Sequence, residues 1–371
     1  MKIRAAGTIL PSLTSIRAVA AVAVAICHAR AAWPWPHHFL FNWIGQIGWL
    51  GVPLFFILSG FVLMWSFGEN IGGVSYVLRR LTRIYPLHLL CFTLSLSAFA
   101  ALGSPLAGYV GTSVGTILNV LLLQGWVPGH PEIRQAWNGV SWTLSCEFFF
   151  YLCTPFIFPY LMKLKAKQSF ALALALWLLL GLCAGLASFW RMNDALDFLK
   201  FSPFATIFIF IIGAAGVGLM RGKYKLPSPS ISILLIVIPL IGYCQIVDEK
   251  ERVDSLMYFI MIPGALFLIL GLAKKDSSGT KSLLDWSPFR ILGESSYALY
   301  MIHALWLGIF GFLVVKISRS LIPHDELGDL GFLITFLFTS IVFSLVLHYC
   351  FELPVRRFLL SLMKMRQSKV Y

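Results

Sequence analysis

Apolar residues run along this chain in blocks of about twenty, and most charged residues fall in the gaps between the blocks. Blocks such as 12–29, 50–65 and 204–220 are apolar on every helical face. They show neither the single stripe of a soluble amphipathic helix nor the two-residue alternation of a barrel strand. A hydrocarbon core of ~30 Å takes roughly 20 helical residues to cross. The pattern therefore predicts spans near 12–32, 46–67, 84–103, 141–162, 169–190, 203–221, 230–247, 256–273, 291–316 and 330–352. Segment 113–127 is also apolar, but Gly111, Gly115 and Gly125 interrupt it. Counting it as a crossing would put Lys163, Lys165 and Lys167 outside, so it is expected to be a re-entrant or interfacial helix. The fold class is an all-α, polytopic integral membrane protein of ten spans plus that helix. With no repeat and no long polar tract, residues 1–371 read as one membrane domain.

Composition agrees, since 58% of residues are hydrophobic and 12% charged, about half the charge of an average soluble domain. A net charge of +13 suggests a nucleic-acid partner only until its distribution is read. The basic residues form short clusters between apolar blocks: Lys2/Arg4, Arg79/Arg80/Arg83, Lys163/Lys165/Lys167, Arg221/Lys223/Lys225, Lys274 to Arg290, and Arg356 to Lys369. The positive-inside rule makes these cytoplasmic loops, with both termini in the cytoplasm. Acidic residues at Asp194/Asp197, 248–254 and Asp325/Glu326/Asp329 mark outward loops, and Trp33-Pro34-Trp35-Pro36 reads as an outer aromatic belt. No nucleic acid is expected. Lys2 and Arg4 resemble the start of a signal peptide, but the following run is too long and carries Arg17, His28 and Arg30, so no cleavage is expected. Seven cysteines without a close C-x-x-C pair predict neither disulfides nor a metal site.

Ionisable groups inside spans cost at least ~2.5 kcal/mol for Arg at a helix centre, so each requires a reason. Arg17 and His28 lie eleven residues apart, close to three helical turns, and share one face ~16 Å apart. Arg17 alone fits snorkelling to the headgroups as well as it fits a site; the shared face favours a functional interior. Trp142, Ser145 and Glu147 open an aromatic helix, and an intramembrane carboxylate needs a cation or a proton. Glu147 is expected to meet His28 at similar depth. Ser296, Tyr300 and His303 form one polar stripe at i, i+4, i+7. Such stripes usually join helices, so His303 is assigned to structure or site lining ahead of catalysis. His88 and His348 read as packing histidines. No phosphate loop and no H-E-x-x-H zinc helix is present.

Six short words then resemble, in order, those of membrane-bound acyltransferase family 3. They are Leu13 to Arg17 with His28, Gly51 to Phe61, Arg79-Arg80-Leu81-Thr82-Arg83-Ile84-Tyr85-Pro86, Trp142 to Glu147, Gly293 to His303, and Phe351-Glu352-Leu353-Pro354 with Arg356. Thr14, Ala18 and Pro53 depart from residues common in that family and bear on the acceptor or subfamily. The chain ends at Tyr371, which predicts a membrane domain acting without an appended hydrolase-like domain.

The resemblance implies an O-acyltransferase that takes acyl-CoA, usually acetyl-CoA, as co-substrate from the cytoplasm. It also implies a glycan or glycolipid acceptor, with lipid and polysaccharide-assembly machinery as partners. Arg79, Arg80 and Arg83 would hold the nucleotide phosphates, Arg79 and Arg83 sharing a face. His28 would be the general base, Glu147 would orient it and stabilise the imidazolium, and Arg17 would hold the donor or polarise the region around the thioester. Trp142, Ser145, Tyr300 and His303 would line the site. Direct transfer and a covalent acyl-histidine relay both fit. The alternatives are a transporter or flippase using Arg17, His28 and Glu147 as a relay, and a non-enzymatic assembly subunit.

Overall fold

The structure, a computed structural model, describes residues 10–32, 39–67, 73–103, 107–222, 224–247, 254–318 and 326–368. The helices are α1 (Pro11–Ala32), α2 (Phe39–Ile47), α3 (Gly51–Trp65), α4 (Val74–Leu102), α5 (Ser113–Val120), α6 (Pro131–Arg134), α7 (Trp142–Lys163), α8 (Ala166–Phe189) and α9 (Asn193–Phe201). They continue with α10 (Pro203–Met220), α11 (Pro229–Ile246), α12 (Asp254–Ser277), α13 (Ser287–Glu294), α14 (Ser296–Ser318), α15 (Glu326–Leu347) and α16 (Leu353–Ser368). Ten stretches among the described residues are long and apolar enough to cross a membrane, and they coincide with the ten predicted blocks. The protein is an all-α, multi-pass membrane protein. Among the described residues the extended contacts are two isolated bridges, Ala107 with Asn138 and Tyr109 with Ala136.

Three boundaries differ from expectation, and each moves a charged residue. The third span begins at Val74, so Arg79, Arg80 and Arg83 stand on the helix instead of preceding it. Polar residues reach into this helix because its first turns border a polar cavity. The ninth block divides at Ser295, where the Ser295 hydroxyl bonds back to the Leu292 carbonyl and α13 parts from α14. The last span does not stop near 352. It passes through one π-helical turn, His348–Glu352, into α16, which carries Arg356.

Small residues let the central helices meet backbone to backbone, as in membrane bundles generally. A Cβ on Gly60 of α3 would strike the Phe210 carbonyl of α10, and one on Gly213 of α10 would strike the Ile57 carbonyl of α3. Around this contact Phe150 and Phe158 of α7 stack on Phe210 at 4.7 and 5.7 Å between centroids, with Phe56 edge-on to Phe150. Helices α8 and α11 expose long apolar faces, Leu178, Leu182, Leu234 and Ile238 among them, as lipid-facing helices do.

Segment 113–127 is no crossing. Helix α5 is eight residues long, started by a Thr112 side-chain cap on the Gly115 amide. Tyr85 and His88, midway along α4, bond to the Val120 and Asn119 carbonyls. Asn119 bonds the Ala136 carbonyl, and Gln124 the Ser141 carbonyl. Every freed backbone group that these contacts satisfy lies against protein, the condition under which irregular backbone is stable at membrane depth. The Trp33 to Pro36 belt, Lys2 and Arg4, Lys223, residues 248–253, Asp325 and both termini lie outside the described residues.

Candidate functional site

Three neighbouring cavities in the bundle share wall residues. The first, about 80 Å³, is lined by Arg17 of α1, Ser59 of α3, Arg80 and Arg83 of α4, Glu147 and Tyr151 of α7, and Tyr297 of α14. A neck of about 40 Å³ shares Arg17, Phe55, Glu147 and Tyr297 with it. The third, about 500 Å³, shares Val52 and Tyr300 with the neck and is lined by His28, Trp49, Trp142, Gln135, Lys200 and Tyr258 among others. We refer to them as the arginine cavity, the neck and the histidine cavity.

Helical arithmetic explains the arginine cavity. Arg80 and Arg83 are three residues apart on α4 and project from one face. Arg79 points away, exposed, its carbonyl accepting from the Thr82 hydroxyl. The expected Arg79/Arg83 pairing thus gives way to Arg80/Arg83, because the rotation of α4 turns that face inward. Glu147 accepts a hydrogen bond of 2.8 Å from the Tyr151 hydroxyl one turn along α7. The Tyr297 hydroxyl donates to the Ile84 carbonyl at 2.5 Å, tying α14 to α4 between the arginines and the neck. Among the described residues no carboxylate comes within ion-pairing distance of Arg17, Arg80 or Arg83. Three guanidiniums therefore face a polar hollow with one nearby carboxylate, an arrangement suited to a multiply charged anion.

The histidine cavity is built on a histidine pair. His28 Nδ1 lies 2.9 Å from the Val24 carbonyl and 3.3 Å from His303 Nε2, and His303 Nδ1 lies 3.2 Å from the Leu299 carbonyl. Tyr300 donates to the Val140 carbonyl at 3.2 Å. Lys200 forms an ion pair with Asp254 and lies over the rings of Trp49 and Phe201. Arg134, buried, bonds Asp197 at 2.6 Å and stacks 3.7 Å above Phe201, which fixes α9 across the cavity's edge.

The expected His28–Glu147 pair is not formed. Trp142 lines the histidine cavity, but Glu147 stands five residues further along α7, ~7.5 Å along the axis, beside the neck and Arg17. Ser145 lines none of the three cavities: fully buried, it accepts from the Gly125 amide at 3.1 Å and pins the re-entrant segment to α7. Trp142 and Tyr300 line cavities, and His303 bonds to His28. His348 is tied to Glu352 at 2.8 Å, both buried. The seven cysteines form no disulfide, and among the described residues no group of three His, Cys, Asp or Glu is placed to hold a metal.

A family model described as an acyltransferase domain, Acyl_transf_3, matches residues 10–349, nearly the whole chain. The chain belongs to this acyltransferase family. Acyltransferase MdmB of Streptomyces mycarofaciens is 29% identical over 347 residues, covering 87% of this chain and 82% of its own length. The exopolysaccharide production protein ExoZ of Rhizobium meliloti is 25% identical, covering 74% and 79%. O-acetyltransferase OatA of Staphylococcus aureus is 22% identical over 94% of this chain, which spans 57% of OatA. No solved structure matches. The protein is thus a membrane acyltransferase.

Sequence reasoning passed over Tyr151, Tyr297 and Lys200. Tyr151 was accessible, since it stands at i+4 from Glu147 on the same helix face. Tyr297 follows Ser296 in the stripe word but faces α4. Lys200 has no such signal; only the fold of α9 against Trp49 brings it to the cavity.

Proposed function

We propose that this acyltransferase takes acyl-CoA, acetyl-CoA first among donors, from the cytoplasm at the arginine cavity and transfers the acyl group to a hydroxyl of a surface or secreted glycan in the histidine cavity. In this reading the histidine cavity faces outward across a bacterial inner membrane and both termini are cytoplasmic. The observation that carries it is the run of three neighbouring cavities with shared walls, Arg17 and Glu147 lining both the first cavity and the neck and Tyr300 lining both the neck and the third. Arg80 and Arg83 grip the phosphates of the nucleotide head, and the pantetheine arm lies along the neck. Arg17 holds the donor beside the neck, on the same cavity wall as Glu147, which is itself fixed by the Tyr151 hydroxyl. The names of ExoZ and OatA, an exopolysaccharide production protein and an O-acetyltransferase, support a glycan acceptor and an O-acyl product.

The proton inventory closes without a metal. The Val24 carbonyl can only accept, so Nδ1 of His28 carries the hydrogen and Nε2 keeps its lone pair. The acceptor hydroxyl gives its proton to Nε2 as its oxygen attacks the thioester carbonyl carbon. The tetrahedral intermediate collapses, the C–S bond breaks, and the thiolate takes the proton back from His28. Products are the ester and free CoA.

Mass spectrometry of surface glycans from a deletion strain, complemented with wild type or His28→Ala, tests this. His28→Ala should insert normally and leave the glycan unacylated. Wild-type acylation in a well-expressed His28→Ala strain would remove His28 from the chemistry.

A further inference from the structure

Among the described residues no carboxylate reaches His28: Glu147 stands at the neck, and the ring's hydrogen-bond partners there are the Val24 carbonyl and His303. An imidazole that accepts a proton in an apolar bundle needs a group to fix its ring beforehand and to share the charge afterwards. We infer that His303 fills that place, as a positioning residue that holds His28 with Nε2 free toward the acceptor and accepts from Nδ1–H as the imidazolium forms. The inference rests on His28 being the base.

The hydrogen-bond pattern allows one neutral arrangement that satisfies each contact. The Leu299 carbonyl, an acceptor, requires the hydrogen of His303 on Nδ1. His303 Nε2 is then a lone pair, and it faces His28 Nδ1 at 3.3 Å. The Val24 carbonyl favours a hydrogen on that same His28 nitrogen. The two demands agree: His28 Nδ1–H is shared between Val24 and His303, and Nε2 is the nitrogen left to the cavity that His28 lines. The rings meet edge to face, with centroids 5.0 Å apart at 61°. His303 is fully buried, so water does not compete for its lone pair. The carbonyl belongs to the helix of His28 itself, whereas His303 holds the ring from a second helix, α14. With His303 gone, one contact four residues back on α1 remains, and the ring populates both tautomers.

The expected signature separates positioning from packing. With [14C]acetyl-CoA as donor and glycan extracted from a deletion strain as acceptor, His303→Leu should lower kcat about 10- to 100-fold with the acetyl-CoA KM within about twofold. The loss is smaller than the ~10²–10⁴ of a general base because the Val24 contact still keeps part of the population in the Nδ1–H tautomer. His303→Gln, whose side-chain carbonyl can take the place of Nε2 as acceptor, should recover most of the rate. In ¹⁵N-histidine spectra of the membrane-embedded protein, assigned by loss in His28→Ala, wild-type His28 should show one Nδ1–H tautomer and His303→Leu a mixture. Wild-type kcat in His303→Leu while His28→Ala is inactive would overturn this inference alone. Equal losses in His303→Leu and His303→Gln with equally lowered thermal midpoints would make His303 a packing residue. Activity in His28→Ala would overturn the underlying reading instead.

Discussion

Single lysine replacements at Arg79, Arg80 and Arg83 discriminate between two accounts of the same cluster. As a signal for membrane orientation the three positions are equivalent, and lysine serves as well as arginine. The structure makes them unequal: Arg80 and Arg83 line the arginine cavity with Arg17, whereas Arg79 is exposed. A lysine keeps the charge but loses the planar fork that engages phosphate through two parallel N–H bonds. One charge-assisted hydrogen bond contributes about 1.5–3 kcal/mol. Losing it from Arg83 should raise the Kd for acetyl-CoA about 10- to 150-fold, since each 1.4 kcal/mol is tenfold. Arg80, which also leans over the Tyr76 ring at 5.4 Å, should lose a similar amount, and Arg79→Lys should bind like wild type. Isothermal titration of acetyl-CoA into purified, lipid-embedded protein measures all three. Equal affinities across the set would refute a phosphate site here, and a loss confined to Arg79→Lys would show that α4 is rotated otherwise than described.

Two further outcomes concern the frame around the site. Gly213→Leu drives a side chain into the Ile57 carbonyl of α3 and should destabilise the bundle by about 1–3 kcal/mol or more, read as a lowered thermal midpoint, whereas Gly311→Leu, with open space at its Cβ, should not. In a cysteine-less background, impermeant thiol reagent applied outside should label a cysteine at Arg191, in the exposed turn between α8 and α9, but not at Lys165 or Lys274. Labelling at Lys165 would reverse the proposed sidedness.

The ten crossings were legible because burial in lipid is recorded residue by residue, in runs of apolar side chains whose length must match the hydrocarbon thickness. The re-entrant segment was legible for a similar local reason: its glycines and its charge arithmetic argued against a crossing, and α5 is eight residues long. Positions along one helix were legible too. Arg17 and His28 share a face by the 3.6-residue period, and both border the cavity path.

Relations between helices were not. The sequence pattern puts Glu147 and His28 toward the same end of their spans, but the docking of α7 sets the depth of Glu147, and five residues of rise carry the carboxylate from the Trp142 level to Arg17. The same holds for rotation. The helical spacing puts Arg79 and Arg83 on the working face, and the packing of α4 turns Arg80 and Arg83 inward instead. His303 looked like a rung of a packing stripe until α14 placed it 3.3 Å from His28. The sequence by itself determined the class of fold, the order of crossings and the chemical types available. Which groups face one another depended on helix depth and rotation. Those are fixed by close contacts such as Gly60 on Phe210, between residues far apart in the chain, and no local period encodes them.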